Sequence, residues 1–392
     1  LIIVALSFTS CNADASAGLF RQISESTEAI DITYRQLLGF DTAKDNLYYR
    51  TIEGLFRMPQ IETTAGTYNA ETMVLNTTDK IIQASAYDAT NDKLLYFTND
   101  KAERDANQVL VFDANTSAVL PTITVAPVPS ISSGLTIKNL YANSMLMVYG
   151  LDSSGKAVYE LQKFDGSIFS NTSIQFSSDI EGYSLEGVIQ QTTKENDITA
   201  EIIVSFVDYN ESTKTSVYKH YLVNPSTPSK VALPNTSVRI ANFFIESGNV
   251  YILTSDGILY YAGTTTALAG SYTEMEDISK AYEPNAFVYP VVDSSTVHLI
   301  TKPTTKSYPL YVFTFPSGAT DGSSVLTESI RYGYGEYLDS ASIVGALQNG
   351  SATDLLVATH ENGIFDISIT AASANVNTDA NGDSSTSEKY TF

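Results

Sequence analysis

The chain holds 392 residues, with 22 Lys and Arg against 44 Asp and Glu, a formal net charge of -22 at pH 7. Charge of that sign repels an extended phosphate backbone and offers no polybasic contact to a membrane, which sets nucleic acid aside as a partner. Hydrophobic residues make up 43%, with 25 Tyr, 17 Phe and no Trp, enough apolar matter to exclude wholesale disorder.

The first eleven residues carry the first signal. Leu1 to Phe8 read LIIVALSF, followed by Thr9, Ser10 and Cys11, the chain's single cysteine. So short an apolar run cannot span a bilayer and fits the hydrophobic region of a secretory signal. A lone cysteine rules out a disulfide framework. The competing reading of Cys11 is a buried thiol near the start of a cytosolic protein. Residues 12–18 are small and polar, a tether, and 19–392 are expected to form one domain.

Seven apolar strands then recur at nearly even spacing, anchored on Leu47, Leu94, Leu146, Ile202, Val250, Val297 and Leu355. The steps run from 47 residues (Leu47 to Leu94) to 58 residues (Val297 to Leu355). A period near 40–50 residues built from strands predicts an all-β chain, a single β-propeller of seven four-stranded blades. Six or eight blades, or a large β-sandwich, are the alternatives.

Blade one is read from LLGFD, LYYRT, LFRM and TMVLN; blade two from IIQASAYD, LLYFT, QVLVFD and TITV, with the charged insertion NDKAERDAN between its middle strands. Blades three and four follow as IKNLYAN to TSIQF and LEGVIQQ to KVAL, with Pro225, Pro228 and Pro234 around the outer strand of blade four. Blade five has the clearest hairpins, at Ser247-Gly248-Asn249 and Asp256-Gly257. Blades six and seven complete the series, and the last lacks a fourth strand. Gly18 to Ile23, GLFRQI, is expected to supply it and close the ring; Lys389 to Phe392 is the alternative.

Few residues announce chemistry. His220, His298 and His360 fall in different blades, without metal-ligand spacing. Nucleophile-elbow, HExxH and P-loop motifs do not occur. Asn377, Asp379, Asn381 and Asp383, with Glu388 at the twelfth place, fit a calcium loop apart from Asn at its first position, making calcium the one candidate cofactor. Tyr332, Tyr334, Tyr337 and Asp339 lie on a glycine-loosened connection between blades six and seven and form a candidate partner-binding patch. Its bland reading is an inter-blade link whose tyrosines pack on neighbouring strands.

Small residues before Cys11, the polar tether and the LYY/LLYFT and GLF/GILYY strand pairs resemble a bacterial β-propeller lipoprotein, with a lipobox of the relaxed kind found in spirochaetes. The layout is similar to the propeller scaffold lipoprotein of the outer-membrane β-barrel assembly machinery. The resemblance implies lipid attachment at Cys11, export to the cell envelope on the periplasmic or surface side, and a non-catalytic role in holding a protein partner. An enzyme acting on a polysaccharide or peptide through paired carboxylates at the propeller mouth, or a glycan- or small-ligand-binding protein, are the alternative functions.

Overall fold

The computed structural model describes residues 34–41, 46–51, 54–59, 72–76, 80–194, 197–279, 282, 286–293, 295–303, 311–329, 342–348, 354–360, 364–368 and 387–390. Blade one comprises β1 (Tyr34–Asp41), β2 (Asn46–Thr51), β3 (Gly54–Pro59) and β4 (Thr72–Asn76). Blade two comprises β5 (Ile82–Asp88), β6 (Lys93–Thr98), β7 (Gln108–Asp113) and β8 (Ala118–Thr124). Blade three follows with β9 (Ser133–Leu140), β10 (Met145–Leu151), β11 (Ala157–Phe164) and β12 (Phe169–Phe176). Blade four has β13 (Ser184–Gln190), β14 (Ile202–Asn210), β15 (Thr215–Asn224) and β16 (Ser229–Ala232). Blade five has β17 (Ile240–Glu246), β18 (Asn249–Thr254), β19 (Ile258–Thr264) and β20 (Ala267–Asp277). Blade six has β21 (Phe287–Asp293), β22 (Thr296–Lys302), β23 (Tyr311–Pro316) and β24 (Leu326–Ser329). Blade seven has β25 (Ile343–Gln348), β26 (Asp354–Thr359), β27 (Ile364–Ser368) and β28 (Ser387–Tyr390). Each blade is an antiparallel sheet whose strands neighbour one another in chain order.

The first strands stand around a common axis. β1 lies against β5 and β25, β5 against β9, β13 against β17, β17 against β21, and β21 against β25. Blades three and four meet where Ala142 N–H donates to Gln190 Oε1 over 3.2 Å. First strands crowded round an axis must twist sharply, and a β-bulge supplies extra twist. Register shifts accordingly interrupt β1, β5, β9, β13, β17 and β25 where each pairs with its second strand. In β21, Pro290 sits opposite Leu299 in regular register. A first strand is a sheet edge, where the missing N–H of proline is tolerated.

The core is seven layers between blades rather than one mass. Successive side chains of a strand point to opposite faces, and both faces of every blade are covered. In β2, Leu47 and Tyr49 pack toward blade seven with Leu356 and Ala358, while Tyr48 packs toward blade two. In β6, Leu94 and Tyr96 face blade one, while Leu95 and Phe97 face blade three. In β18, Val250 and Ile252 face blade four, while Tyr251 and Leu253 face blade six. Burial on both sides explains why the second strands read as unbroken apolar runs. Thr51, Thr98, Thr254, Thr301 and Thr359 are buried at the ends of five of these runs. Thr254 Oγ1 donates to Ile258 O over 3.0 Å, the local back-bonding that lets a hydroxyl sit in a core.

Polar locks join neighbouring blades at their turns. The ammonium of Lys93, in blade two, donates to Gly166 O at the β11–β12 turn of blade three. Gly166 has φ +98°, and a Cβ there would meet Asn91 Oδ1 at 2.6 Å, so only glycine fits this approach. Glu246 of blade five repeats the arrangement, accepting from Ser317 Oγ at 2.5 Å and from Gly318 N–H at 3.1 Å in blade six.

One expectation, the strand that closes the ring, is corrected. The fourth strand of blade seven is β28, which overlaps the alternative closure Lys389 to Phe392; Gly18 to Ile23 lies outside the described residues. β28 pairs antiparallel with β27 through Ile364 and Tyr390. The last blade is thus built from strands consecutive in the chain, like the others. The charged insertion NDKAERDAN contains the short helix α1 (Lys101–Asp105), capped by Asp100, whose carboxylate accepts from Ala102 N–H at 2.8 Å. Lys80 clamps it, 2.9 Å from Asp100 and 2.6 Å from Glu103. Asn107 Nδ2 then donates to Leu135 O of blade three over 2.9 Å, so the insertion is welded across two blades.

Candidate functional site

The ring encloses a cavity of about 420 Å³, walled by the first strands of blades one to five. Each of these strands, or the residue at its end, projects one carboxamide into the wall: Gln36, Gln83, Asn139, Gln190 and Asn242. The five do not share one rung: Gln36 and Asn242 pair near the ends of their second strands, opposite Arg50 and Leu253, whereas Asn139 and Gln190 pair near the starts, opposite Met147 and Ile202. Ser85 stands beside Gln36, donating from Oγ to Gln36 Oε1 over 3.2 Å, while Gln36 Nε2 reaches Ser85 O at 3.4 Å. These bonds join blades one and two and fix the plane of the first amide.

Arg50 is the charged side chain among the described lining residues. It comes from β2, directly opposite Gln36 in the register, and its Nη1 donates to Ile82 O over 3.2 Å. One edge of the guanidinium is thus held by the neighbouring blade. Tyr141 completes the wall at blade three; it is buried, and burial pushes its phenol well above the usual tyrosine range, so it stays neutral.

A short turn reaches the first strands of the later blades. The β13–β14 connection forms a 3₁₀ turn, Thr192–Lys194, that lies against β17, β21 and β25, the first strands of blades five, six and seven. Gln191 at its root is buried and donates from Nε2 to Glu201 O over 3.2 Å. Backbone bonds from Lys194 N–H to Gln191 O and from Asp197 N–H to Lys194 O brace the turn.

The three histidines stand in blades four, six and seven. His220 is paired across β14 and β15 with Ser205, whose Oγ lies 2.8 Å from His220 Nδ1. Burial pulls the imidazole down to about 4, so it is neutral at physiological pH. His298 is placed alike in blade six, 3.4 Å from Thr314 Oγ1. His360 follows β26 and donates its backbone N–H to Ser342 O over 2.8 Å. The Ser205–His220 pair has the residue types of a nucleophile and base, but both are sealed in the wall of blade four away from the cavity. Among the described residues no group of three or more His, Cys, Asp or Glu is placed to hold a metal ion.

Many acidic residues serve turns. Asp113 caps the β7–β8 turn through Asn115 and Thr116 N–H, and Asp165 the β11–β12 turn through Ser167 and Ile168 N–H. Those N–H groups hold both carboxyls below the usual carboxylate range.

Of the residues singled out in the sequence, Cys11, Tyr332, Tyr334, Tyr337, Asp339, Asn377, Asp379, Asn381 and Asp383 lie outside the described residues. Glu388 falls within β28, on the closing strand. The carboxamide wall and Arg50 were missed. Their sequence signal is one Asn or Gln near each first strand (RQLLG, IQASA, KNLYA, VIQQ, IANFF), invisible until the strands are set around an axis.

No protein-family model and no curated protein sequence matches the chain. Among solved structures, it is similar to that of a prolyl endopeptidase, with a TM-score of 0.50 and 11% identity over 93% of this chain and 53% of that one. The chain thus spans about half the length of that protein. It is also similar to the β-propeller domain of the trilobed protease of Pyrococcus furiosus (TM-score 0.45, 8% identity, 86% of this chain and 92% of that one). BamB of Moraxella catarrhalis is a further similar structure (TM-score 0.41, 11% identity, 85% and 84%). Identities this low speak to the fold alone, and the fold, from its own sheet order, is a β-propeller of four-stranded blades.

Proposed function

We propose that the chain is a non-catalytic β-propeller that holds a protein partner in the cell envelope, anchored through a lipid on Cys11. The observation that carries this reading is the cavity wall, in which five blades present neutral carboxamides and Arg50 presents a positive charge. Hydrolysis of a glycoside calls for two carboxylates some 5 to 10 Å apart, and the described lining of this cavity includes no Asp or Glu, which favours the binding reading. Rigid inter-blade cores and turn-to-turn locks support the same role, since a scaffold that does not deform loses little entropy when a partner docks. The anchor rests on the residues around Cys11, and the tether of residues 12–18 would let the ring stand away from the bilayer.

The native protein isolated from its membranes is expected to bring down one protein in near-stoichiometric amount. Cys11→Ala is expected to move the chain out of the membrane fraction. Recovery of no stoichiometric partner contradicts the scaffold role, and retention of the Cys11→Ala chain in the membrane contradicts the anchor.

A further inference from the structure

We propose that Glu160 is a buried acid that works as a pH-operated latch: protonated, it holds the linker between blades two and three against β11, and ionised, it releases that linker. The inference is independent of whether the ring holds a partner.

The linker joins β8 to β9 and runs along one face of β11. Alternation puts Glu160, Gln162 and Phe164 on the face toward blade two, since Tyr159 and Leu161 pack toward blade four while Phe164 shares a layer with Leu95 and Val109. At one end of the linker, Ala126 O accepts from Gln162 Nε2 over 3.0 Å. At the other, Ile131 packs on Gly150, the residue opposite Val158. Residues 127–130 therefore pass over Glu160, which lies between Gln162 and Val158 in the strand and is 0% exposed.

The hydrogen bonds under the linker do not close if Glu160 is ionised. Gln175 Nε2 donates to Glu160 Oε2, but Glu160 Oε1 has no hydrogen-bond partner, and neither has Gln162 Oε1 on the same face. Two acceptors cannot satisfy each other. A proton on Glu160 Oε1 turns one of them into a donor, and the amide oxygen two residues along the strand is within reach of a side chain of that length. Burial moves this carboxyl above the usual carboxylate range, against the opposing pull of the Gln175 amide.

Among the described residues, the elements packed around Glu160 bring no countercharge. β10 presents Leu146 and Val148, blade two Leu95 and Val111, the linker Val125 and Val128. β12 supplies the amides of Asn171 and Gln175. The ammonium groups on either side are engaged elsewhere: Lys93 lies 5.8 Å from the Phe164 ring centre and donates to Gly166 O, while Lys230, from blade four, donates to Gln175 O and pairs with Asp179. A carboxyl raised in the folded state stabilises the fold below the ordinary carboxylate range and loses that contribution as pH rises through its folded value. The latch is thus closed in mild acid and open above it. The linker leads into β9, whose end forms part of the cavity wall, so the latch is placed to make that wall depend on pH.

Hydrogen exchange of the full chain tests this at Ile131 N–H, which donates to Val128 O over 2.9 Å, with Ile278 N–H of blade five as the control. Glu160→Gln keeps an acceptor for Gln175 and carries an N–H where the acid has its O–H. At about pH 4.5, near the ordinary glutamate value, the two chains are expected to protect Ile131 equally. At about pH 8 the wild type is expected to exchange it roughly tenfold faster than the variant, the effect of a buried acceptor left unpaired, with Ile278 alike in both. Equal protection of Ile131 at both pH values, faster exchange in the variant at the higher one, or an equal change at Ile278 overturns the proposal. Should Glu160→Gln fail to fold, carboxyl-carbon NMR of the wild type decides: one glutamate titrating above the rest is expected, and none doing so overturns the latch.

Discussion

Phe206→Ala is expected to destabilise the ring by about 3–5 kcal/mol, the range for truncating a buried aromatic in a well-packed core. Phe206 is fully buried on β14 and fills the layer between blades three and four. Its ring lies 5.4 Å from Tyr159, 5.1 Å from Phe176 and 6.1 Å from Tyr221, in tilted and edge-on arrangements that aromatic quadrupoles favour. Phe176 and Tyr221 also receive the ammonium of Lys230, at 4.5 and 5.4 Å, so the cavity left by alanine would unseat several contacts at once. Since the core consists of layers between blades, damage to one layer weakens closure of the whole ring. Urea unfolding followed by tyrosine fluorescence measures the change. Val217→Ala, on the exposed part of the same blade, is expected to cost no more than about 0.5 kcal/mol. A cost for Phe206→Ala as small as that control would mean that the layer does not hold the ring.

Acid is expected to weaken the fold through His220. The imidazole titrates near 4 in the folded chain because burial disfavours its charged form, against about 6.5 when unfolded. Between those values the unfolded chain binds a proton that the folded chain refuses. Stability is therefore complete above pH 6.5 and falls as pH drops toward 4, by about 3 kcal/mol in all. Ser205 Oγ at 2.8 Å and Thr236 Oγ1 at 3.3 Å partner the two nitrogens of the neutral ring. Unfolding free energies of the wild type and His220→Gln, measured from pH 7 to 4, are expected to converge as pH falls, since the glutamine chain lacks this titration. Carboxylates that titrate at the lower end affect both proteins alike. Parallel curves would show that His220 is not held neutral.

The architecture was legible because each second strand is buried on both faces, so LYYRT, LLYFT, VYILT and LLVAT stand out as apolar runs closed by threonine. Ring closure was harder. GLFRQI and KYTF are both short amphipathic segments near a terminus, and their residues do not say which one pairs with β27. The helix Lys101–Asp105 was hidden because five residues carry too little periodicity to betray it, and its clamp, Lys80, precedes it by a whole hairpin.

The site was the least legible part. Irregular spacing draws attention to insertions such as NDKAERDAN, yet that insertion is consumed in joining blades two and three. The residues that meet in the cavity belong to the regular strands, one amide from each of five blades, about 50 residues apart in the chain. A single Gln or Asn beside a strand carries no signal alone, and only closure of the ring makes five of them one surface. The turn at Thr192–Lys194 reads in sequence as a somewhat long hairpin loop, with nothing to show that it reaches three other blades.

The account therefore turns on whether a partner enters the ring. A photo-cross-linking amino acid placed at Gln83, inside the cavity, can be compared with the same group at Val119, 64% exposed on the outer strand β8. Irradiation in the cells that make the protein is expected to give one discrete protein adduct from position 83 and none from position 119. Adducts at 119 alone, or in equal yield at both positions, would contradict a partner held by the cavity.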